Sequence, residues 1–541
     1  GNIHSETQGS PIGMEIRAQA FAFATNDDIN NMTFYSYEII NRSTFRLTET
    51  YFSQWVDTDL GDAWDDYVGC DVQRGLGYCY NGVSVDGTGK DDHYGAQPPA
   101  VGVDFFQGPY MDPNGQDDPR IGPDGKPLCD VSINGINFGD SIVDNERFGM
   151  RRFVYHNNLG ELAATTDPDN AAEYYNFLRG IWKDNIKMRY GGNAHPNSGA
   201  NGPDCDFMFP ADTDPCNWGT GGIQPAGFIT GAGGSGVKWT EETAGNKPYD
   251  RRFMQSAGPF TLEPGAVNYI TVGIPWARAA SGGPFQSVEL LRVVDDKCQA
   301  LFDNCFKVVD GPDAPDLIAQ ELDREVILYL SNRKTSNNYL EAYQELDPNI
   351  PEDRIDIQQK WTLDTASGMY ILEEVYDTIT YDRYYRFEGY QIFQVADGDV
   401  DVSELGDPSK ARLVAQCDIE NGISTLINYY YNEELGASVP VMEVSGQDRG
   451  IAHSFRLLED QFAEGDRRLV NHKQYYYIAI AYAYNEYAPY SQEPGVLNGL
   501  YGQKKVYLAG RKSPTGRIQS ITVIPHKTSP EAGGTIMNAA Y

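Results

Sequence analysis

The chain is short of basic residues. Its 541 residues include 42 Lys and Arg against 77 Asp and Glu, which gives a formal net charge of −35. A nucleic acid partner requires clustered Lys and Arg against the phosphate backbone, and an anionic membrane surface attracts a basic face. The charge balance therefore argues against nucleic acid as a partner and against docking on an anionic bilayer.

Long apolar runs are also missing. No stretch approaches the roughly 18 apolar residues of a membrane-spanning helix, so we expect a protein that does not span a bilayer. The first residues, GNIHSETQGS, contain no basic region followed by an apolar run, so no signal peptide is visible. The last residues, TIMNAAY, do not resemble a natural tail. We therefore expect a fragment or a processed part of a longer protein.

Catalytic signatures are equally scarce. The sequence contains no P-loop, GxSxG, HExxH or CxxC motif, and its seven His residues are scattered without a pair at metal-ligand spacing. The segment GAGGSG at 231–236 matches GxGxxG in form, but neither a buried strand before it nor a helix after it is predicted. We expect no enzyme. A hydrolase with paired carboxylates is the alternative if the chain has an activity.

The residues that are abundant predict a mainly β protein. Gly (56), Pro (30) and Tyr (36) are frequent, and apolar residues alternate at period two in many segments. For residues 1–310 we predict a β-sandwich with long acidic loops and a few helices. Within it, TFYSYEII and FRLTETYFSQWV are interpreted as a hairpin around NRST, and helices are predicted in NAAEYYNFLRGIWKDN and near 286–306.

Residues 311–515 resemble a fibronectin type III domain, an Ig-like β-sandwich. Its strands are interpreted as DLIAQELDREVILYLSN, YRFEGYQIFQ, ARLVAQCD and LVNHKQYYYIAIAYAYN. Leu469 precedes Tyr475 at the spacing of a tyrosine corner, in which the Tyr hydroxyl bonds to the backbone upstream. The sequence departs from the family in an insertion at 333–382 and in having Tyr329 near the place of the usual Trp. Residues 516–541 are interpreted as a final strand and a linker to a further module.

Eight cysteines suggest an oxidising compartment. Cys70 and Cys79, like Cys205 and Cys216, flank short Gly-, Pro- and Asp-rich segments, so we predict a disulfide within each pair, worth roughly 3 kcal/mol in the chain-entropy model. Cys298 and Cys305 lie on one stripe of the later predicted helix, about 10.5 Å apart along its axis, and are interpreted as buried thiols.

The densest group of carboxylates predicts a calcium site. The segment VDTDLGDAWDDYVGCD lies in a Gly-containing loop, and Ca²⁺ takes six to eight oxygen ligands from such loops. The predicted ligands are Asp57, Asp59, Asp62, Asp65 and Asp66. The alternative is a solvated acidic loop whose Asp side chains form Asx-turns.

Two further acidic segments are weaker candidates for a cation. Asp397, Asp399 and Asp401 begin at EF-hand spacing, but Val402 stands where Gly is required, so a hairpin loop is favoured there. Asp212 and Asp214 lie between Cys205 and Cys216, where we favour a disulfide-closed loop without a metal.

Several phrases together resemble the large cell-surface proteins of Bacteroidota that the type IX secretion system exports. They are SQWVDTDLGDAWDDYVGCD, GYCYNG, PPAVGVDFFQGP, SAGPFTLEPGAVNYITVG, FEGYQIFQ with ARLVAQCD, and IPHKTSPEAGGT. The resemblance implies an exported β-domain protein, surface-attached or released, and the family's C-terminal sorting domain is missing from this sequence. Members of this family mostly have no assigned biochemical activity.

These features favour a non-enzymatic extracellular structural or adhesive protein whose loops are stabilised by calcium and disulfides. Expected partners are other surface proteins, further copies of the chain, or glycans. The alternative is a carbohydrate-binding module of a secreted polysaccharide-degrading protein, because exposed Tyr side chains stack well on sugars.

Overall fold

The fold is mainly β and divides into two compact units. The computed structural model describes residues 6–22, 31–90, 92–156, 162–303, 309–348, 350–365, 368–432, 437–491 and 502–527. Unit 1 comprises residues 1–303, 351–380 and 493–496, and unit 2 comprises 304–350, 381–492 and 497–541. The predicted fold class, mainly β with a few helices, is confirmed.

The elements before residue 304 are strands, two helices and short 3₁₀ turns. The strands and helices are β1 Met14–Ala22, β2 Met32–Asn41, β3 Leu47–Asp57, β4 Asp66–Asp71, β5 Leu76–Asn81, β6 Val85–Asp86, β7 Gly95–Ala96, β8 Ala100–Gln107, β9 Arg152–His156, α1 Ala171–Leu178, β10 Phe228–Ile229, β11 Val237–Lys238, β12 Arg252–Leu262, β13 Val267–Ala277 and α2 Pro284–Asp303.

The elements after residue 304 are strands and two further 3₁₀ turns, in the part of the chain that the structure describes. The strands are β14 Asp316–Leu322, β15 Glu325–Ser331, β16 Gln344–Leu346, β17 Arg354–Leu363, β18 Tyr370–Ile379, β19 Tyr384–Val395, β20 Ala411–Asp418, β21 Thr425–Asn432, β22 Ala437–Ser445, β23 Ser454–Leu457, β24 Tyr475–Tyr484, β25 Tyr507–Ala509 and β26 Ile521–Val523.

Unit 1 is a layered structure around a six-stranded antiparallel sheet in the order β1-β2-β13-β8-β5-β4. Side chains on successive residues of β8 point to opposite faces. Phe105 packs toward Phe52 of the three-stranded sheet β3-β12-β9, while Phe106 packs toward Phe302 of α2. The run AVGVDFFQ is nearly all apolar because both of its faces are covered.

The predicted hairpin over residues 33–56 is wrong. β2 pairs with β1 and β13, whereas β3 pairs with β12 in the other sheet. The fully buried Asn41 holds the corner, because its amide nitrogen donates to the carbonyl oxygens of Phe45 (2.8 Å) and Leu262 (2.9 Å). The alternation of apolar residues identified both strands, but it does not say which strand each one pairs with.

Both predicted helices are present. Asn170 caps α1, since its side chain accepts from the backbone N–H groups of Ala172 and Glu173, which is the usual role of Asn at this position. Along α2, Cys298 is fully buried, as predicted. Cys305 lies outside the described residues.

The described part of unit 2 contains two packed sheets and the separate β21–β22 hairpin. One is β14-β15-β23, and the other has the order β16-β19-β24-β25, with β20 also on β19 and β26 also on β24. The predicted tyrosine corner is confirmed: the Val470 N–H donates to the Tyr475 hydroxyl oxygen over 2.9 Å, and Leu469 is buried beside it.

The predicted insertion at 333–382 is not a single part of unit 2, because the structure divides it between the two units. Residues 351–380 belong to unit 1, where β17 and β18 form a hairpin. The Gln359 backbone N–H donates to the Ala232 carbonyl (2.8 Å), and its side-chain amide donates to the Pro215 carbonyl (3.0 Å). The Trp361 indole donates to the Ser235 hydroxyl (2.7 Å). The Gly-rich segment 231–236 is therefore a docking loop for this hairpin.

Candidate cation site and neighbouring cleft

The predicted calcium loop connects β3 to β4 and contains one 3₁₀ turn, Ala63–Asp65. Asp62 begins this turn, because its side chain accepts from the Trp64 N–H over 3.3 Å. Asp57 ends β3 and Asp66 begins β4, so the five predicted ligands are distributed over two strand ends and the turn between them. The structure sorts them into two separate groups.

The outer group consists of Asp57, Asp59 and Asp250, each of which offers a carboxylate oxygen within 4.8 Å of the others. Arg252 lies in this group, at 2.8 Å from Asp57 and 3.2 Å from Asp250. A guanidinium group therefore already forms ion pairs with two of the three carboxylates. Asp250 was missed in the sequence because it is far along the chain, on the segment that leads into β12.

The inner group consists of Asp65, Asp66 and Asp86 together with the amide of Asn81. Asp66 lies directly opposite Asn81 in the β4–β5 ladder. The Asn81 amide nitrogen donates to Asp65 over 2.6 Å. Asp66, Asn81 and Asp86 are each at most 1% exposed. The group is therefore a buried polar cluster beneath the acidic loop, and its three carboxylates are not among the sets whose oxygens all lie within 4.8 Å of one another.

Backbone N–H groups hold the inner carboxylates in place. Leu60 donates to Asp66 (3.1 Å), Gly87 donates to Asp65 (2.9 Å), and Asp62 donates through its backbone to Asp86 (2.9 Å). Burial raises the pKa of Asp66 to about 8. The Leu60 N–H opposes that rise, and the negative charges of Asp65 and Asp86 add to it.

The five predicted ligands therefore do not form one site. Asp57 and Asp59 belong to the outer group, and Asp65 and Asp66 to the inner one. Asp62 supports both the turn and, through its backbone, Asp86. Asn81 and Asp86 carry no local signal, because the β4–β5 pairing brings them to the loop.

A surface cleft of about 640 Å³ opens beside the acidic loop. The Trp64 indole is 56% exposed and the Tyr94 ring 37% exposed. The cleft combines aromatic rings, four carboxylates and two basic side chains, from residues Asp59, Asp62, Trp64, Lys90, Asp92, His93, Tyr94 and Asp250. Aromatic faces next to polar groups suit a ligand with both apolar and hydroxyl surfaces.

Unit 2 has a second cleft, of about 430 Å³, whose rings are Tyr429, Tyr484 and Tyr490. Most other Tyr residues of the neighbouring strand β24 are structural, as predicted. Tyr475, Tyr477 and Tyr482 of β24 are buried in the sandwich.

The cysteine pairs are corrected by the structure. Cys216 forms a disulfide with Cys129, 87 residues away, and Cys205 is a free thiol. Cys205 is buried in the apolar core of unit 1. Both bonded residues lie in long loops, and no local spacing relates them.

Cys70 and Cys79 are also free. In the β4–β5 ladder Cys79 lies opposite Val68, while Cys70 lies opposite Gly77, so the two cysteines are diagonal neighbours. Diagonal positions are about 7–8 Å apart, which exceeds the usual Cα separation in a disulfide. Burial raises the pKa of both thiols well above the ordinary range, so neither is a reactive thiolate.

In another acidic loop region, backbone N–H groups donate hydrogen bonds to the carboxylates. Asp117 accepts from the backbone N–H groups of Gly139 (2.9 Å) and Ser141 (2.7 Å), and Asp144 accepts from those of Asn114 and Gly115. These hydrogen bonds join loop segments that are 22 to 30 residues apart in the chain.

In the two weaker candidate segments, Asp401 and Asp214 also accept hydrogen bonds from backbone N–H groups. Asp401 caps a short turn through the Ser403 N–H (3.0 Å), within the loop that joins β19 to β20. Asp214 accepts from Trp218 (2.8 Å) and Gly219 (2.9 Å). Burial raises the pKa of Asp214 to about 6, although these two N–H groups oppose the rise.

No described helix is both long and apolar enough to cross a membrane. The chain matched no protein-family model, and searches among curated proteins and solved structures gave no match either. Its function is therefore inferred from its own residues.

Proposed function

We propose that the chain is a non-enzymatic, extracellular structural or adhesive protein of the type IX secretion cargo class. The Cys129–Cys216 disulfide carries this proposal, because structural disulfides persist mainly in oxidising compartments. It joins two long loops that have little regular structure of their own. Such a bond suits a surface protein that must keep irregular loops in a fixed arrangement outside the cell.

The second unit supports a modular surface architecture. Its strands pair as a three-stranded sheet, β14-β15-β23, against a sheet built on β19 and β24, and the Tyr475 corner is present. This pattern supports the resemblance to a fibronectin type III domain, whose usual role is to space and present neighbouring modules. Other surface proteins or further copies of the chain are the proposed partners.

Calcium is proposed as the second stabiliser of unit 1. Its acidic loop is rich in oxygen donors, and Ca²⁺ in an extracellular medium would offset repulsion between carboxylates. The experiment is a thermal melt of the full chain with Ca²⁺ or EDTA, each with and without a reductant. We expect EDTA and the reductant each to lower the melting temperature. A melting temperature unchanged by both would contradict the proposal.

A second candidate function is carbohydrate binding at the cleft beside the acidic loop. The exposed indole of Trp64, next to Tyr94 and several carboxylates, supports it. A glycan array with the full chain tests the candidate, and binding should be lost in Trp64→Ala. Trp361→Ala is the matched control, because Trp361 is also exposed but lies on the β17–β18 hairpin. Equal binding by both variants would exclude the cleft.

A further inference from the structure

The cleft beside the acidic loop exposes an indole ring. The Trp64 side chain is 56% exposed, and it contacts the ring of Tyr249 edge-on, with 4.7 Å between the ring centroids. An exposed Trp in a concave surface is the kind of side chain that anchors a partner in protein interfaces. The free face of Trp64 is therefore the apolar part of a candidate binding site.

The charge of the same cleft is negative. Four Asp side chains line it, and Lys90 is the lining residue with a permanent positive charge. Arg252 pairs with one of the four, Asp250, at 3.2 Å. No Lys or Arg among the described residues pairs with Asp59 or Asp62. The cleft is therefore complementary to a positively charged ligand.

Unit 1 combines a carboxylate and an aromatic ring elsewhere, and there an arginine occupies the space between them. Arg251 pairs with Glu241 at 2.9 Å, and its guanidinium carbon lies 5.1 Å from the ring centroid of Tyr155. Arg292 pairs with Asp71 at 3.0 Å and lies 5.9 Å from the centroid of a Tyr ring. A guanidinium group suits both partners, because it is planar, weakly hydrated and always charged.

We propose that the cleft binds an arginine side chain on a basic segment of a partner protein. The guanidinium group stacks on Trp64 and pairs with Asp59 or Asp62. Within the described ranges no Lys or Arg of the chain itself lies over the Trp64 ring, so that face is open to a partner. This inference rests on the proposed adhesive function, because it names the chemistry of the partner, and it assigns the cleft to a protein rather than to a sugar.

The loop holds the ring and one carboxylate in a fixed relation. Asp62 begins the 3₁₀ turn that contains Trp64, and its side chain accepts from the Trp64 N–H over 3.3 Å. The Asp62 backbone N–H in turn donates to buried Asp86 over 2.9 Å. Because both groups are positioned before the partner arrives, binding costs little ordering of the loop.

Calorimetric titration of the full chain with a blocked peptide, Gly-Arg-Gly-Arg-Gly, tests the inference. The same peptide with citrulline in place of arginine keeps the shape and removes the charge, so we expect it not to bind. Trp64→Ala should weaken binding of the arginine peptide about 5- to 30-fold, and Trp64→Phe, which keeps an aromatic face, should weaken it less. Asp59→Asn with Asp62→Asn should weaken it about 3- to 30-fold.

The matched control for charge is Asp397→Asn with Asp399→Asn. It removes the same number of carboxylates from an exposed loop of unit 2, so the peptide should bind as it does to the wild type. Equal weakening by both double variants would mean that the acidic chain attracts the peptide without a site. Circular dichroism of each variant separates a loss of binding from a loss of folding.

Two further results would overturn the inference. One is equal binding of the citrulline and arginine peptides. The other is binding on a glycan array that is lost in Trp64→Ala and kept in Asp59→Asn with Asp62→Asn, which would assign the cleft to a sugar. Either result leaves the proposed structural role standing, because that role is tested separately by the thermal melts with EDTA and the reductant.

Discussion

Asp104 of β8 and Asp295 of α2 form a buried carboxyl pair between the six-stranded sheet and the helix. Each is 2% exposed, and Oδ1 of each has no hydrogen-bond partner among the described residues. Burial raises the pKa of both groups well above the ordinary Asp range, and the negative charge of Asp104 adds to the rise at Asp295. Charged neighbours on the surrounding elements are Asp71, Arg74 and Asp296.

This pair predicts a loss of stability at alkaline pH. A carboxyl whose pKa is higher in the folded state contributes stability that is fully present below its unfolded pKa and is lost as the pH rises through the folded pKa. Asp104→Asn keeps the shape and cannot ionise, so its free energy of unfolding should fall less between pH 5 and 9 than that of the wild type. Urea unfolding at several pH values measures this.

Asp296→Asn is the control for the buried pair. Asp296 accepts two hydrogen bonds from Arg74, at 2.8 and 2.9 Å, and its charge adds to the raised pKa of Asp104 and Asp295. Because burial is the larger cause of both shifts, replacing Asp296 should destabilise unit 1 and flatten the pH dependence less than Asp104→Asn does. A wild-type pH dependence in Asp104→Asn would show that the pair does not carry an ionisation cost.

The Cys129–Cys216 bond supports a second prediction for single residues. It closes a loop of 87 residues, for which the chain-entropy model gives roughly 4–5 kcal/mol as an upper value. Cys129→Ala should lower the free energy of unfolding by up to this amount, and a reductant should then have no further effect. Cys205→Ala, which removes a free buried thiol, should keep the sensitivity to the reductant. Denaturant titrations with and without the reductant distinguish the two variants.

Among the elements, the β17–β18 hairpin depends on a few polar contacts within unit 1. The Gln359 side chain is 3% exposed, and its amide also donates to the Thr230 hydroxyl (3.1 Å). Gln359→Ala should destabilise the hairpin by about 1–3 kcal/mol, because the Pro215 carbonyl loses its buried donor. Faster amide exchange confined to 354–379 and 213–235 is the expected result. Gln358→Ala is the control on the adjacent residue, and an equal effect there would contradict the assignment.

Elements were predictable from the sequence where the signal is local. The period-two runs identified β2, β3 and β24, the amphipathic pattern of NAAEYYNFLRGIWKDN identified α1, and the spacing from Leu469 identified the Tyr475 corner. The pairing of β2 with β13 was not predictable, because it depends on residues more than 200 positions away.

The same limit applied to the candidate site. The sequence indicated its acidic loop, but the β4–β5 register that brings in Asn81, the 86–94 turn and Arg252 are contacts between distant segments. Disulfide partners chosen by proximity in the chain were wrong for that reason as well.

For the whole molecule, the two units differ in what holds them together. Unit 1 contains the disulfide, the proposed ion and long loops around its sheets. Unit 2 is a sandwich whose described cysteine, Cys417, is a free thiol. All seven Trp residues belong to unit 1: Trp55, Trp64, Trp182, Trp218, Trp239, Trp276 and Trp361. Tryptophan fluorescence therefore reports the unfolding of unit 1 alone.

This distribution predicts that a reductant with EDTA separates the unfolding of the two units. The midpoint measured by tryptophan fluorescence should fall, because unit 1 loses its cross-link and the proposed ion. A second calorimetric transition, without a tryptophan signal, should keep its midpoint, because the described part of unit 2 holds neither. Two variants serve as controls: Cys129→Ala should shift only the fluorescence transition, and Tyr475→Phe, which removes the hydroxyl of the corner in unit 2, should shift only the other. The contrary result is a single transition in the untreated wild type, in the wild type with reductant and EDTA, and in both variants. It would mean that the two units unfold cooperatively.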